Sequence, residues 1–107
     1  MPQLPANAIS SARELIRLAA RGVDAQRPND VEINVAKIAA SQALCIASDS
    51  AMQLYGAEGI SDLTPLSGIY RIARTTRILD GSDESLTSSI GRKLIDCYKN
   101  GGVYNFY

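Results

Sequence analysis

The chain has no histidine. That absence removes the Ser-His-Asp and Cys-His arrangements and the commonest metal ligand together, so any catalysis here must move its proton on a carboxylate. Cysteine is almost as scarce. Cys45 and Cys97 each sit inside an apolar helical pattern, with no second pair to build a zinc site or a disulfide framework. Buried, reduced thiols in a cytosolic protein are the expectation, and no metal site is expected. Charge of either sign is not in excess, because 11 lysines and arginines meet 11 aspartates and glutamates. The balance gives no argument for nucleic acid or an anionic membrane surface as a partner. No apolar run approaches the ~20 residues that cross a bilayer. The start, MPQLPANAISS, has neither the basic region nor the apolar block of a secretory signal. A soluble intracellular protein without a membrane span follows, and 107 residues suffice for one modest core in one domain, 1–107.

What is present is helical pattern, with no convincing strand. Residues 9–23 place Ile9, Ala12, Leu15, Ile16, Ala19 and Val23 on one face, with Ser11 and Glu14 spaced as a capping box. Arg13, Arg17 and Arg21 form a stripe on another face, read as solvated. Pro28 breaks the pattern, and Asn29 with Glu32 again has capping-box spacing before a long helix over 30–55. In it Val31, Val35, Ile38, Ile46 and Leu54 alternate with alanines that admit close neighbours, so this helix is expected at the centre. Gly56 is expected to end it in a left-handed cap. After a GAEGISDL loop, Thr64 and Pro65 open a helix over 65–78; Ser82 and Asp83 cap a last one, with Glu84 in its first turn, that Asn100-Gly101-Gly102 stops. The expected fold is all-α, an antiparallel four-helix bundle-like arrangement. The aromatic tail VYNFY is too isolated to be a stable strand and should dock on a surface or fray.

With the elements placed, the order QLYGAEG, a proline at 65, and YRIARTTRILDGSDE, Tyr70 to Glu84, resembles the C-terminal helical domain of the acyl-CoA dehydrogenases, over roughly 9–97. That family carries Q-x-x-G-x-x-G, a proline, then R-D-A-x-x-x-x-I-x-E-G-T-x-E at the same spacings. Ile72 stands where the family has the aspartate of R-D-A, and Asp80 and Ser82 stand where most members have glutamate and threonine. The D-G-x-D-E form is similar to a branch of larger, fused members.

The resemblance implies a flavin-dependent oxidoreductase in which Asp80 occupies the position of the base that removes the α-proton of an acyl-CoA thioester. Such a base needs a carboxylate on a mobile connection, aimed into an apolar pocket. Read without the resemblance, an aspartate before glycine is a turn residue. Gln53, Gly56 and Gly59 match the segment that in the family touches the FAD of a neighbouring subunit, and Ser82 and Glu84 match positions near the flavin's adenosine side. Arg71 and Arg74 read as surface or inter-subunit charges. Family members also have an N-terminal helical domain, a middle β-domain and a further long helix. The chain is therefore expected to be the last helices of a longer enzyme, inactive by itself, binding FAD weakly or not at all, and oligomeric with itself or with a complementary dehydrogenase chain. The expected location is the cytoplasm, or the mitochondrial matrix in a eukaryote. The competing reading is a non-catalytic helical assembly module.

Overall fold

The computed structural model describes residues 3–105, and every regular element among them is a helix. They are α1 (Gln3–Asp24), α2 (Asp30–Tyr55), α3 (Ala57–Ile60), α4 (Leu66–Thr76) and α5 (Asp83–Lys99). The all-α expectation holds and the long alanine-rich helix is central. Among the described residues α1, α3, α4 and α5 all pack on α2, and only α3 and α4 also meet each other.

The contacts fix the directions. The Asn29 amide donates to the Ala19 carbonyl at 2.8 Å, while Ile9 lies beside Ala47, so α1 runs antiparallel to α2. Ser67 shares a groove with Met52 and Thr76 lies against Lys37, so α4 is also antiparallel. Gly81, just before α5, lies against Lys37 and Lys93 pairs with Asp30 at 2.5 Å, so α5 runs along the first turns of α2 and is antiparallel to it as well. Thus α4 and α5 lie end to end along α2, each covering part of it, and the group stays open instead of closing into a ring.

The contact surfaces are small because alanine and serine make them. Ala12 and Ala19 of α1 and Ala36 and Ala43 of α2 are buried, Ala73 of α4 is fully enclosed, and Val31 is the largest buried side chain. Small residues let helix axes approach closely. The cost is a thin core: half of the expected apolar face of α1, Ile9, Ile16 and Val23, remains exposed, as does Leu54.

Three local expectations are corrected. α1 begins at Gln3, not near Ile9, because Pro5 falls in the first turn, where its missing N–H costs no hydrogen bond. Ser11 is therefore interior and Glu14 pairs with Arg17 at 2.8 Å instead of closing a capping box. Asn29 does stand at the start of α2 but makes no side-chain cap, since its amide is drawn to Ala19. Gly56 has φ 61° but ψ −135°, a glycine-specific conformation distinct from the left-handed helical one, and it leads directly into the short α3. The tail docks through Tyr104, which donates to Glu32 Oε2 at 2.5 Å. Its last two residues, Phe106 and Tyr107, lie outside the described residues.

Candidate functional site: the clasped turn between the fourth and fifth helices

The residues between α4 and α5 make one compact turn. Ile78 and Leu79 N–H groups donate back to the Thr75 carbonyl at 2.9 and 3.0 Å, completing the helix exit. The chain then reverses through Asp80 and Gly81, with φ 54° and 95°. A non-glycine residue in this region is uncommon, and aspartate is among the side chains that tolerate it. Ser82 next caps α5, its Oγ accepting the Ser85 N–H at 3.2 Å. Two residues across the turn close it twice: the Asp83 N–H donates to the Arg77 carbonyl at 3.1 Å, and Arg77 Nε donates to Asp83 Oδ2 at 2.7 Å.

Asp83 is 7 % exposed, and its Oδ1 is buried without a hydrogen-bond partner. Its hydrogen bond, and secondarily its charge, raise the Arg77 guanidinium above its ordinary value. From below, α2 holds the same turn. Lys37 Nζ donates to the Thr76 carbonyl at 2.6 Å and to the Gly81 carbonyl at 2.9 Å, and Ser41 Oγ donates to the Thr76 carbonyl at 3.3 Å. Hydrogen bonds from a charged donor contribute about 1.5–3 kcal/mol each when part-buried. The mobile connection expected from sequence is instead clasped from two sides, because a cation on α2 satisfies carbonyls that a helix end and a reversal leave over.

Asp80 stands at the tip of this turn, exposed, flanked by exposed Ile78 and Leu79. Ser82 is half-buried at the cap, and Glu84 is exposed in the first turn of α5, so these three expected site residues come together. Gln53, Gly56 and Gly59 form a separate group at the far end of α2. Gln53 is exposed, and its carbonyl accepts the Gly56 N–H at 3.2 Å; the Gly59 N–H in turn donates to the Gly56 carbonyl at 2.9 Å. Both glycine amides are thus engaged internally, and a ligand would meet the Gln53 side chain and the bare face of Gly56. Gly59 has a packing role: a Cβ there would stand 2.6 Å from the Met52 carbonyl oxygen. Sixteen residues separate Lys37 from Gln53 along α2, about 24 Å at 1.5 Å per residue. One small pocket cannot contain both groups.

Sequence reasoning missed Lys37, Ser41 and the Arg77–Asp83 pair. A signal for Lys37 was available, since it is the lone charged residue between Glu32 and Asp49 in an otherwise apolar and small-residue helix. Arg71 and Arg74 are exposed on α4, as expected for surface charges. Among the described residues no group of three histidine, cysteine or acidic side chains is placed to hold a metal ion, and no helix is long and apolar enough to cross a membrane.

The fold and the turn together define a class: a helical domain that mounts one carboxylate on a braced helix-to-helix connection. The description "Acyl-CoA dehydrogenase, C-terminal domain" matches residues 6–95, and the chain belongs to that family. It is 38% identical over 87 residues to acyl-CoA dehydrogenase family member 11 of Mus musculus, covering 79% of this chain and 11% of that protein. It is 40% identical over 88 residues to a probable acyl-CoA dehydrogenase of Mycobacterium tuberculosis, covering 80% of this chain and 22% of that protein. It is also 36% identical over 93 residues to the mitochondrial short-chain specific acyl-CoA dehydrogenase of Rattus norvegicus, covering 87% of this chain and 23% of that protein. The chain thus spans less than a quarter of the length of these relatives.

Proposed function

We propose that this chain is the C-terminal helical portion of a flavin-dependent acyl-CoA dehydrogenase, with Asp80 as the base that removes the α-proton of an acyl-CoA thioester. The observation that carries this reading is Asp80 itself. It lies inside the matched family domain, exposed, at the tip of a turn braced from two sides. A general base is effective when its carboxylate is held within hydrogen-bond reach of the proton it takes, and a braced mount supplies that restraint.

FAD, when bound, accepts the hydride from the β-carbon. The task of this chain is to hold the carboxylate and to surround it. Exposed Ile78 and Leu79 give an apolar border that, covered by the rest of the assembly, excludes water from the step. Ser82 and Glu84 on one side, and Gln53, Gly56 and Gly59 on the other, fit edge contacts to flavin. Their separation of about 24 Å along α2 favours contacts with different flavins of an oligomer. One domain that offers only edges should bind FAD weakly or not at all alone, and a flavin absorbance band in the purified chain would contradict this. The proposed compartment is the cytoplasm, or the mitochondrial matrix in a eukaryote.

The test uses the flavin-loaded enzyme that contains this chain. Asp80→Asn keeps size and tolerance of positive φ while removing the basic oxygen. Flavin and acyl-CoA binding should persist while flavin reduction, followed anaerobically by stopped-flow bleaching, slows by at least ~10²-fold. Asp80→Glu should retain activity. Should the asparagine variant bleach as fast as the parent, Asp80 is a turn residue and the helical assembly module becomes the better reading.

A further inference from the structure

We propose that Lys37 is a positioning residue for Asp80, holding the turn in the one conformation that presents the carboxylate; the inference rests on Asp80 being the base. Three observations carry it. Lys37 Nζ donates to two carbonyls, Thr76 at 2.6 Å and Gly81 at 2.9 Å, and these bracket the segment that contains Asp80. That segment reverses through consecutive positive φ values at Asp80 and Gly81, which set the turn locally and leave its orientation against α2 to be fixed by another contact. Nothing else on α2 can replace the ammonium: Ser41 reaches only the Thr76 side, at 3.3 Å, and no other charged residue lies between Glu32 and Asp49.

The geometry distinguishes the two braces. Arg77 and Asp83 clasp the base of the turn to itself, and would close it whatever its orientation relative to α2. Lys37 ties the turn to the central helix, and therefore fixes where Asp80 points in the frame of the whole domain. One ammonium spanning Thr76 and Gly81 makes the direction of the Asp80 carboxylate depend on a residue 43 positions earlier in the chain. Lys37 touches neither substrate nor reacting atoms and acts only through the turn.

The experiment is a double-mutant cycle in the flavin-loaded enzyme. Lys37→Met keeps the length and apolar stem of the side chain and removes the donors. It should slow flavin reduction about 10–100-fold, the scale of a misplaced catalytic group, with the KM for acyl-CoA unchanged. In the Asp80→Asn background the same substitution should have almost no further effect, because there is no base left to misplace. Lys37→Arg should recover most of the rate. Amide hydrogen exchange at residues 80–83 should quicken in Lys37→Met and return in Lys37→Arg.

If the lysine is merely stabilising, its replacement lowers the melting temperature and slows both backgrounds alike, and that additive result overturns the proposal. So does an undiminished rate in Lys37→Met while Asp80→Asn is slow, an outcome that leaves Asp80 as the base. If Asp80→Asn is itself fast, the underlying reading fails and the positioning role with it. If Lys37→Met does not fold, Lys37→Gln, a neutral amide with a shorter reach, takes its place in the cycle: it should slow flavin reduction in the parent and not in Asp80→Asn, and equal slowing in both overturns the proposal.

Discussion

At the scale of single residues, the same amino acid does different work depending on what its backbone faces. Gly59 matches a family position, yet its α-hydrogen points at the Met52 backbone, where a Cβ would come within 2.6 Å of a carbonyl oxygen. Backbone cannot yield as a side-chain tip does. Gly59→Ala should therefore cost about 1–3 kcal/mol in denaturant unfolding by pushing α3 off α2. Gly68, inside α4 with nothing within 4 Å of its would-be Cβ, should instead gain about 0.5–1 kcal/mol on substitution by alanine. Equal responses of the two would show that α3 is not seated as described. The sequence signals Gly59 by motif alone and cannot tell a cofactor glycine from a packing glycine, because the distinction lies in a contact between α2 and α3. Asp80 is legible for a different reason: Asp-Gly between two capped helices specifies a reversal locally. Lys37 stands out in the sequence as a lone charge but its role does not, since its partners are carbonyls 39 and 44 residues away and every residue type offers a carbonyl.

At the scale of elements, the four longer helices could be read, the short α3 falls where a loop was expected, and helix ends were legible only where a side chain commits to its own helix. Ser82 does so and caps α5 as its position suggests. Asn29 and Glu32 have the same spacing signature, but tertiary partners win both: Asn29 goes to α1 and Glu32, buried in the first turn of α2, accepts the tail's Tyr104. That last bond has a measurable sign. Burial, then the hydrogen bond to Glu32 and its charge, push the Tyr104 hydroxyl above its ordinary value. A raised folded-state value means that the protonated phenol is the form stabilised by folding. Its contribution is complete below the unfolded value of about 10 and is lost as pH rises beyond it. Tyr104→Phe should cost about 1–2 kcal/mol near pH 7, by leaving a buried carboxylate short of a donor. The gap between parent and variant should narrow above pH 10 in urea unfolding monitored by helical circular dichroism. A constant gap from pH 7 to 11 would show that the tail does not dock through this hydroxyl.

At the scale of the whole molecule, the end-to-end placement of α4 and α5 along α2 produces a rod of 55 × 23 × 22 Å with a radius of gyration of 16.7 Å. A compact chain of this length would have about 13 Å. The accessible surface is 7192 Å², against roughly 5,800 Å² expected for a globular monomer of 11.5 kDa. The excess of about 1,400 Å² exceeds one partner's share, ~800 Å², of a standard interface. Large apolar side chains lie on the exposed surface. Ile9 and Ile16 of α1 and Leu44 of α2 border a groove of about 460 Å³ floored by Ala12, Ala40, Ala43 and Ala47, with Arg13 and Arg17 at its rim. An apolar groove rimmed by guanidinium groups is the composition of a recognition surface more than of a solvated one. Since alanine at the α1–α2 contact leaves the larger side chains pointing outward, the isolated chain should associate, with itself or with a complementary dehydrogenase chain. Light scattering after size exclusion should give a mass above 11.5 kDa, or a monomer that binds a hydrophobic dye strongly. Ile16→Glu with Leu44→Glu should shift either behaviour toward a clean monomer without loss of helical signal, because both side chains are about half exposed and carry little of the fold. A parent chain that is already monodisperse, monomeric and dye-silent at high concentration would show that this face is stable in water and that the domain needs no partner.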